Sequence, residues 1–209
     1  MVHDETPSTV YWLENNLYLN ITNQCSNRCI FCIRNFKKGV ADFNLRLKEE
    51  PTVATVISEL KQALYRKNWK EIVFCGFGEP TAKLDVLLEI AQWIRQQYSK
   101  TIPIRLNTNG HGNALNPGRN VAKELKVAGV TKVSVSLNAG DEETYNEVCK
   151  PEFTGAYAAT LEFIRNAKTE LETEVTAVTT PEINLQKARD AAKALGVKFR
   201  LRECIPCFW

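Results

Sequence analysis

Residues 17–39 read LYLNITNQCSNRCIFCIRNFKKG, and this stretch carries the most informative pattern in the chain. Its apolar start predicts a strand over residues 17–22, and the polar turn that follows holds Cys25, Cys29 and Cys32. The cysteine spacing is C-x3-C-x2-C, so three thiolates lie within eight residues. Each of these thiolates can bind one iron of a 4Fe–4S cluster, which leaves the fourth iron without a protein ligand.

Two other interpretations of the cysteines stay open. A structural zinc site would use a fourth Cys or His at pairwise spacing, but His3 and His111 are poorly placed for it, and the nearest later pair is Cys204 and Cys207. Buried, inert cysteines are the second alternative.

An electron-transfer ferredoxin normally supplies four cysteines, so an open iron implies that another molecule binds there.

The composition limits the class of protein. The chain has 209 residues, 44% of them hydrophobic, and a formal net charge of +3. This length predicts a single domain over residues 1–209, and the small basic excess does not indicate a nucleic-acid partner. The polar start, MVHDETPST, and the lack of a long apolar run predict neither a secretion signal nor a membrane partner. Seven cysteines in such a chain favour a reducing, cytoplasmic location.

Short apolar strands alternate with helical segments along the chain. Strands are predicted over residues 17–22, 72–75, 102–107, 132–137, 174–179 and 197–203. Helices are predicted over residues 52–64, from 81 to about 91, and over 121–128, 142–149, 156–169 and 185–195. Residues 1–16 form a predicted lead-in, with Tyr11 and Trp12 packing over a barrel end. Residues 34–50 are predicted to be a long loop, and 196–209 the last strand and a tail.

The alternation of strands and helices predicts a parallel sheet with right-handed helical crossovers. Six units are too few for a closed eight-stranded barrel. We therefore expect an α/β fold, a partial (β/α)6 barrel that is open along one side. The carboxyl ends of parallel strands meet at one rim, where such folds place their chemistry. Motifs that follow successive strands should therefore converge in space.

Polar turns follow the second, third and fourth predicted strands. They read GFGEP at residues 76–80, NTNG at 107–110, and SVSLNA at 134–139, where the strand itself ends. Glycines let a backbone approach a ligand closely, and amide, hydroxyl and carboxylate groups can bond a small polar molecule. The rim is thus the predicted binding site.

Together with the cysteine loop, these motifs and the ending FRLREC resemble the radical S-adenosylmethionine (radical SAM) superfamily, and more narrowly its TatD-associated members. The resemblance implies a TIM-barrel-like radical SAM fold, in which SAM completes the open iron of a 4Fe–4S cluster. It implies an enzyme that cleaves SAM reductively to a 5′-deoxyadenosyl radical, which abstracts hydrogen from an unidentified substrate. An external electron donor of flavodoxin or ferredoxin type and association with a TatD-type protein are also implied.

The same resemblance implies which residues hold the cofactors. Cys25, Cys29 and Cys32 would bind the cluster. SAM contacts are expected at Phe31 beside the third cysteine, at Gly76, Phe77, Gly78 and Glu79 around the amino group, and at Asn107, Thr108, Ser136 and Asn138 around the ribose and carboxylate. Phe77 departs from the simplest form of the motif, which has glycine there. Asn109 and Gly110 fit a backbone turn equally well.

The last predicted strand carries Arg200 and Arg202 on one face. Directed into the barrel, two guanidinium groups would bind an anion such as the SAM carboxylate or a substrate phosphate. Directed outward, they would be ordinary surface charges. The C-x2-C pair that follows, Cys204 and Cys207, fits ligands of a second metal centre, redox-active thiols or neither, and we expect it not to bind the first cluster.

The sequence leaves open one function of another class, a non-catalytic iron–sulfur or zinc protein that binds a partner or carries electrons. Binding of SAM at an open iron separates the two classes, because an electron carrier would not bind SAM. No pattern identifies a general acid, a general base or the substrate. A macromolecule, a peptide and a small polar metabolite all fit an open barrel, and no oligomeric state follows.

Overall fold

The computed structural model describes residues 6–204, in which a seven-stranded sheet is covered by helices. The strands are β1 (Val10–Leu13), β2 (Asn16–Leu19), β3 (Gly39–Val40), β4 (Phe43–Asn44), β5 (Glu71–Phe74), β6 (Ile104–Thr108), β7 (Lys132–Ser136), β8 (Glu172–Thr179) and β9 (Lys198–Glu203). Strands β3 and β4 form a separate short hairpin, and the other seven form the main sheet.

The helices alternate with the strands as the sequence predicts. They are α1 (Val53–Leu64), α2 (Leu84–Trp93), α3 (Gly112–Leu115), α4 (Val121–Val127), α5 (Glu142–Cys149), α6 (Ala156–Glu170) and α7 (Leu185–Leu195). Short 3-10 turns lie at Ile33–Asn35 and Pro80–Lys83, and a π turn at Ile94–Tyr98 extends α2. None of the described helices has the length and apolar character needed to cross a membrane.

The strand order in the main sheet is β1-β2-β5-β6-β7-β8-β9. From β2 to β9 every neighbouring pair is parallel, so six parallel strands follow one another in sequence order. No pairing between β9 and β1 closes the sheet within the described residues. The structure therefore confirms the partial (β/α)6 barrel that is open along one side.

The first strand corrects the prediction for the lead-in. Val10–Leu13 does not pack over a barrel end but pairs antiparallel with β2, with Val10 opposite Leu19. Tyr11 stacks on Tyr18 at 5.0 Å between ring centroids. The tight turn between the two strands places Glu14 at φ 51°, a conformation that short polar turns use to reverse the chain.

The long segment after the cysteines is more structured than the predicted loop. It contains the hairpin of β3 and β4, and both Leu45 and Leu47 are buried. Leu45 packs with Tyr11 and Phe77 in a small second core beside the main one. This second core fastens the segment to the edge of the barrel, because removing these apolar side chains from water is favourable.

The two faces of the sheet differ in polarity because side chains alternate along each strand. The face under the helices is apolar and fully buried; its residues include Leu17, Leu19, Ile72, Phe74, Ile104, Leu106, Val133, Val135, Val175 and Ala177. The opposite face carries polar side chains; these include Tyr18, Arg105, Asn107, Ser134, Glu174 and Arg200. The apolar face forms the core, and the polar face lines the interior of the barrel.

Candidate active site

The cysteine loop, residues 22–32, lies at the carboxyl end of β2, and Cys25, Cys29 and Cys32 on it are partly buried. Its backbone is bonded to the end of α5. The amide of Arg28 donates to the carbonyl oxygen of Cys149 at 3.0 Å, and Ile30 N donates to that of Val148 at 2.9 Å. The three cysteines are therefore held on a fixed segment of the rim.

The donor set suits a 4Fe–4S cluster. No three Cys, His, Asp or Glu side chains among residues 6–204 converge as ligands of a single metal ion. A 4Fe–4S cluster does not need such convergence, because each thiolate binds a different iron. Burial is the main cause that raises the pKa of both Cys25 and Cys32, and the charge of the neighbouring Cys29 raises both further.

The pKa values of the three thiols are raised, so binding of iron must displace their protons. Burial is the main cause that raises the pKa of the Cys25 thiol to about 12, and burial also raises the pKa of Cys32. A hydrogen bond with Cys149, together with burial, raises the pKa of Cys29. The sulfurs thus stay protonated until cationic iron displaces the protons, as for other thiolate sites.

The GFGEP turn at the end of β5 is docked against the cysteine loop. Glu79 N donates to the carbonyl oxygen of Gln24 at 2.7 Å. A Cβ atom at Gly78 would lie 2.5 Å from the carbonyl oxygens of Thr22 and Gln24, closer than real contacts allow. The glycine is therefore required by close approach of two backbones, independently of any ligand.

The carboxylate of Glu79 is buried, with 3% of the residue exposed. One oxygen accepts from Thr81 N (3.0 Å), Thr81 Oγ1 (2.7 Å) and Thr108 Oγ1 (2.8 Å), and the other accepts from Asn109 N (2.6 Å). Burial raises the pKa of Glu79, and these hydrogen bonds oppose that shift. The sequence assigned this carboxylate to the SAM amino group, but in the structure any such bond competes with four bonds from the protein.

In the NTNG turn at the end of β6, Asn107 and Thr108 form hydrogen bonds within the protein that the sequence did not predict. Thr108, an expected ligand contact, is buried and uses its hydroxyl within the protein, donating to Glu79 and accepting from Gly110 N at 3.0 Å. Asn107 projects into the barrel, where its Oδ1 accepts from Arg105 at 2.9 Å. Gly110 has φ 84°, which confirms a backbone reason for glycine in this turn.

Asn109 and His111 form a buried network that sequence reasoning missed. Asn109 Nδ2 donates to Ser26 Oγ at 2.9 Å and lies 3.9 Å from Cys25 Sγ. His111 Nδ1 lies 2.8 Å from the same Ser26 hydroxyl, and His111 Nε2 lies 2.9 Å from the Tyr145 hydroxyl. The network stabilises the cysteine loop through its bonds to Ser26. The only sequence signal was that His111 follows the NTNG turn directly.

Ser136 is the last residue of β7, and Asn138 lies two residues beyond it. Asn138 has φ 59°, a conformation uncommon for residues other than glycine. Its Oδ1 is buried without a hydrogen-bond partner among the described residues, whereas its Nδ2 lies 3.8 Å from Cys149 Sγ. A buried acceptor without a donor is costly, so this position suits a ligand with donor groups, such as the amino or hydroxyl groups of SAM.

The aromatic residues near the loop have packing roles. Phe31 is partly buried against the main core. Phe77 places its side chain in the small second core, and its backbone N lies 3.4 Å from Asn20 Oδ1. The Asn20 side chain also fills the space beside Gly76. A SAM contact at Phe77 would therefore use its backbone, and the contacts at Phe31 and Phe77 stay predictions.

Arg200 and Arg202 both project into the barrel, which answers the question that the sequence left open. They line a cavity of about 470 Å³ together with Asn107 and Tyr18. Arg200 forms an ion pair with Glu174 at 2.6 Å. The cavity extends along the polar face of the sheet.

Two further positions complete the rim. Arg34 donates to the carbonyl oxygens of Asn23 (3.3 Å) and Asn27 (3.1 Å), so it stabilises the cysteine loop. Cys204 is buried at the end of β9, and its N–H donates to Thr179 Oγ1 at 3.3 Å. Cys207 lies outside the described residues, so the role of the C-x2-C pair stays a prediction.

Comparison with known proteins identifies relatives. The Radical SAM superfamily matches residues 19–195. The chain is similar to a probable GTP 3′,8-cyclase of Thermococcus kodakarensis, with 30% identity over 133 residues (64% of this chain, 38% of that protein). It is similar to another of Methanococcus vannielii, with 27% identity over 188 residues (90% and 58%). The structure of methylornithine synthase matches with a TM-score of 0.65 and 16% identity (91% and 53%).

The matched residues and the share of each relative that is covered decide how far each comparison applies. The family match includes the cysteine loop, both turns and all the strands from β5 to β8. The chain spans 38% and 58% of the lengths of the two cyclases. The likeness to methylornithine synthase, at 16% identity, concerns the fold.

Glu79→Gln should lower the stability of the cluster-free protein. The amide matches the carboxylate in shape, but its NH2 group would face Thr81 N–H or Asn109 N–H, and one buried donor would lose its acceptor. We expect the free energy of unfolding, measured by urea titration, to fall by about 1–3 kcal/mol.

Glu152→Gln is the matched control. The carboxylate of Glu152 pairs with Arg28 at the surface, so the same substitution should cost less than about 1 kcal/mol. Unchanged stability in Glu79→Gln together with weaker SAM binding would show that the carboxylate serves the ligand and not the two turns.

His111 should make stability depend on pH. Burial lowers its pKa to about 4, whereas a histidine in an unfolded chain titrates near ~6.5. The unfolded chain therefore binds more protons between these values, so the free energy of unfolding falls as the pH decreases from about 6.5 towards about 4. Between pH 7 and pH 5 we expect the cluster-free wild type to lose about 2 kcal/mol more than His111→Gln.

The variant keeps one donor and one acceptor on the side chain, and it retains Glu79, whose raised pKa acts in the opposite sense in both proteins. The difference between the two pH profiles therefore isolates His111. Parallel profiles in denaturant titrations would show that His111 is not buried in its neutral form.

Proposed function

The chain belongs to the radical SAM superfamily, whose enzymes use a 4Fe–4S cluster and SAM, and we propose that it cleaves SAM reductively and removes a hydrogen atom from a substrate in the barrel. The bound cofactors supply the radical chemistry, and the protein supplies binding and orientation. The observation that carries this proposal is that the cysteine loop and Asn138, whose Oδ1 is buried without a partner among the described residues, both contact Cys149 at the end of α5.

The residues have separate tasks in this proposal. Cys25, Cys29 and Cys32 bind three irons and leave the fourth for SAM. The Oδ1 atom of Asn138 accepts from a donor group of SAM, since it has no partner among the described residues. Ser136, two residues before Asn138, is the last residue of β7.

The two turns position these groups. Glu79 holds the GFGEP turn against the NTNG turn, and Gly78 lets the first of these turns approach the cysteine loop. Backbone carbonyl groups of the GFGEP turn are the proposed acceptors for the SAM amino group. The Glu79 carboxylate then acts mainly by fixing their position.

The alternative of a non-catalytic iron–sulfur or zinc protein has less support. Within residues 6–204 no set of side chains suits a single zinc ion, and the superfamily match concerns SAM-dependent enzymes. An electron carrier would also gain nothing from the unpaired acceptor at Asn138 beside the cysteine loop.

The partners and location are proposals that rest on the sequence. We propose a one-electron donor of the flavodoxin or ferredoxin class, because a cluster of this type is reduced from outside. Five described cysteines are free, which favours a reducing compartment such as the cytoplasm. Pairing with a TatD-type protein rests on the motif resemblance alone. The relatives found by sequence are named for a reaction of GTP, and the substrate of this chain is considered below.

Anaerobic reconstitution tests the proposal. We expect about four irons per chain and, with reductant and SAM, formation of 5′-deoxyadenosine. Alanine at Cys25, Cys29 or Cys32 should abolish both the visible absorption and the product, because three thiolates are the minimum set here. Iron analysis and chromatography of the product are the measurements.

Cys75→Ala is the control, since this partly buried cysteine is not a proposed ligand, and it should retain the cluster. A complete cluster in the protein with all three proposed ligands replaced would overturn the ligand assignment. An intact cluster that neither binds nor cleaves SAM would favour the electron carrier.

A further inference from the structure

The cavity inside the barrel carries an excess of positive charge. Five cationic and three anionic side chains line its wall. The cationic residues are Arg105, Lys132, Lys198, Arg200 and Arg202, and the anionic residues are Glu71, Glu172 and Glu174. The wall therefore carries two more positive than negative side chains.

Ion pairs account for the carboxylates at this wall. Arg105 contacts both oxygens of Glu71, at 3.2 and 2.7 Å. Arg200 contacts Glu174 at 2.6 Å, and burial would raise the pKa of Glu174 if the bonds from Arg200 and Ser134 did not lower it.

The remaining acid lies near the amino ends of the strands. Glu172 contacts both Lys132 (3.5 Å) and Lys198 (3.6 Å). Every carboxylate in the wall is thus already paired, and none is left for Arg202.

Arg202 is the unpaired cation at the end of the cavity nearest the cysteines. Its Nη2 donates to Ser136 Oγ at 3.1 Å, and its Nε is buried without a partner among residues 6–204. It forms no ion pair within that range. Its register neighbour on β8 is Val178, and Thr176 precedes it on the same face, so the adjacent strand offers no carboxylate.

The charge of Arg202 has an energetic cost. A half-buried cation whose Nε is buried without a partner among the described residues is unfavourable unless an anion binds it, and burial accordingly lowers the pKa of Arg202. Arg202 contacts Ser136 at the carboxyl end of β7, the same rim that carries the cysteine loop. An anion bound there would satisfy the guanidinium close to the cofactors.

We propose that Arg202 binds a carboxylate or phosphate group of a small-molecule substrate inside this cavity. The inference rests on the proposed function and names its substrate class. The volume of about 470 Å³ falls in the range of about 300–1,000 Å³ typical of small-molecule sites, which favours a small metabolite over a macromolecule. Arg200 is not the proposed anion site, because Glu174 already neutralises its charge.

SAM also contains a carboxylate, so the experiment must separate the two sources of the anion. Reconstituted protein is dialysed against radiolabelled inorganic phosphate at constant ionic strength, with and without saturating SAM, and SAM affinity is measured in parallel. The variants are Arg202→Gln and Arg202→Lys. Arg165→Gln, an exposed arginine on α6, is the matched control.

With SAM bound, wild type and Arg165→Gln should bind phosphate equally. Arg202→Gln should raise the Kd for phosphate at least about tenfold, as expected for loss of a charge-assisted hydrogen bond, and should leave SAM affinity within about threefold. Arg202→Lys should lie between them, because it keeps the charge but loses the fork of donors. Retention of the cluster absorption shows that each variant is folded.

Two results would overturn the proposal. The first is phosphate binding that is undetectable in wild type or unchanged in Arg202→Gln. The second is loss of phosphate binding when SAM is added, together with tenfold weaker SAM binding in Arg202→Gln, which would assign Arg202 to the cofactor. Phosphate binding does not require SAM cleavage, so failure of the proposed function would be seen separately, as absence of 5′-deoxyadenosine.

Discussion

One buried carboxylate links the turns on which the candidate site depends. Glu79 lies in the GFGEP turn, accepts hydrogen bonds from the NTNG turn through Thr108 and Asn109, and donates its own N–H to Gln24 in the cysteine loop. Three segments far apart in sequence are thereby fixed relative to one another. Because a buried carboxylate without donors is strongly unfavourable, the turns must be in place together for the residue to be stable.

The polar interior of the barrel is the second constraint. Parallel sheets usually bury apolar residues on both faces, but here one face carries charged side chains that pair between strands, as Arg105 does with Glu71 and Arg200 with Glu174. Such pairs contribute little net stability once desolvation is counted. Their presence is better explained by a cavity that holds a polar molecule than by the needs of the fold.

Sequence predicted the fold well where the signals are local. The helices Glu142–Cys149 and Leu185–Leu195 match their predicted bounds, because Asp141 and Asn184 cap their first turns. The strand Val10–Leu13 was missed, since four residues beside a tight turn resemble a lead-in until their partner strand is known. In the site, cysteine spacing predicted the donor set, but the partners of Glu79 could not be predicted, because they lie on another strand end.

The two arginines of β9 show why spacing alone could not assign roles. They share a face and a residue type, and sequence treated them alike. Their neighbours on β8 separate them: Arg200 lies opposite Thr176 and reaches diagonally to Glu174, whereas Arg202 lies opposite Val178 and its diagonal neighbour is Thr176. A charge network that served only the fold would continue the pairing along the strand. It stops where the strand approaches the cysteine loop, and this supports the proposed anion site at Arg202.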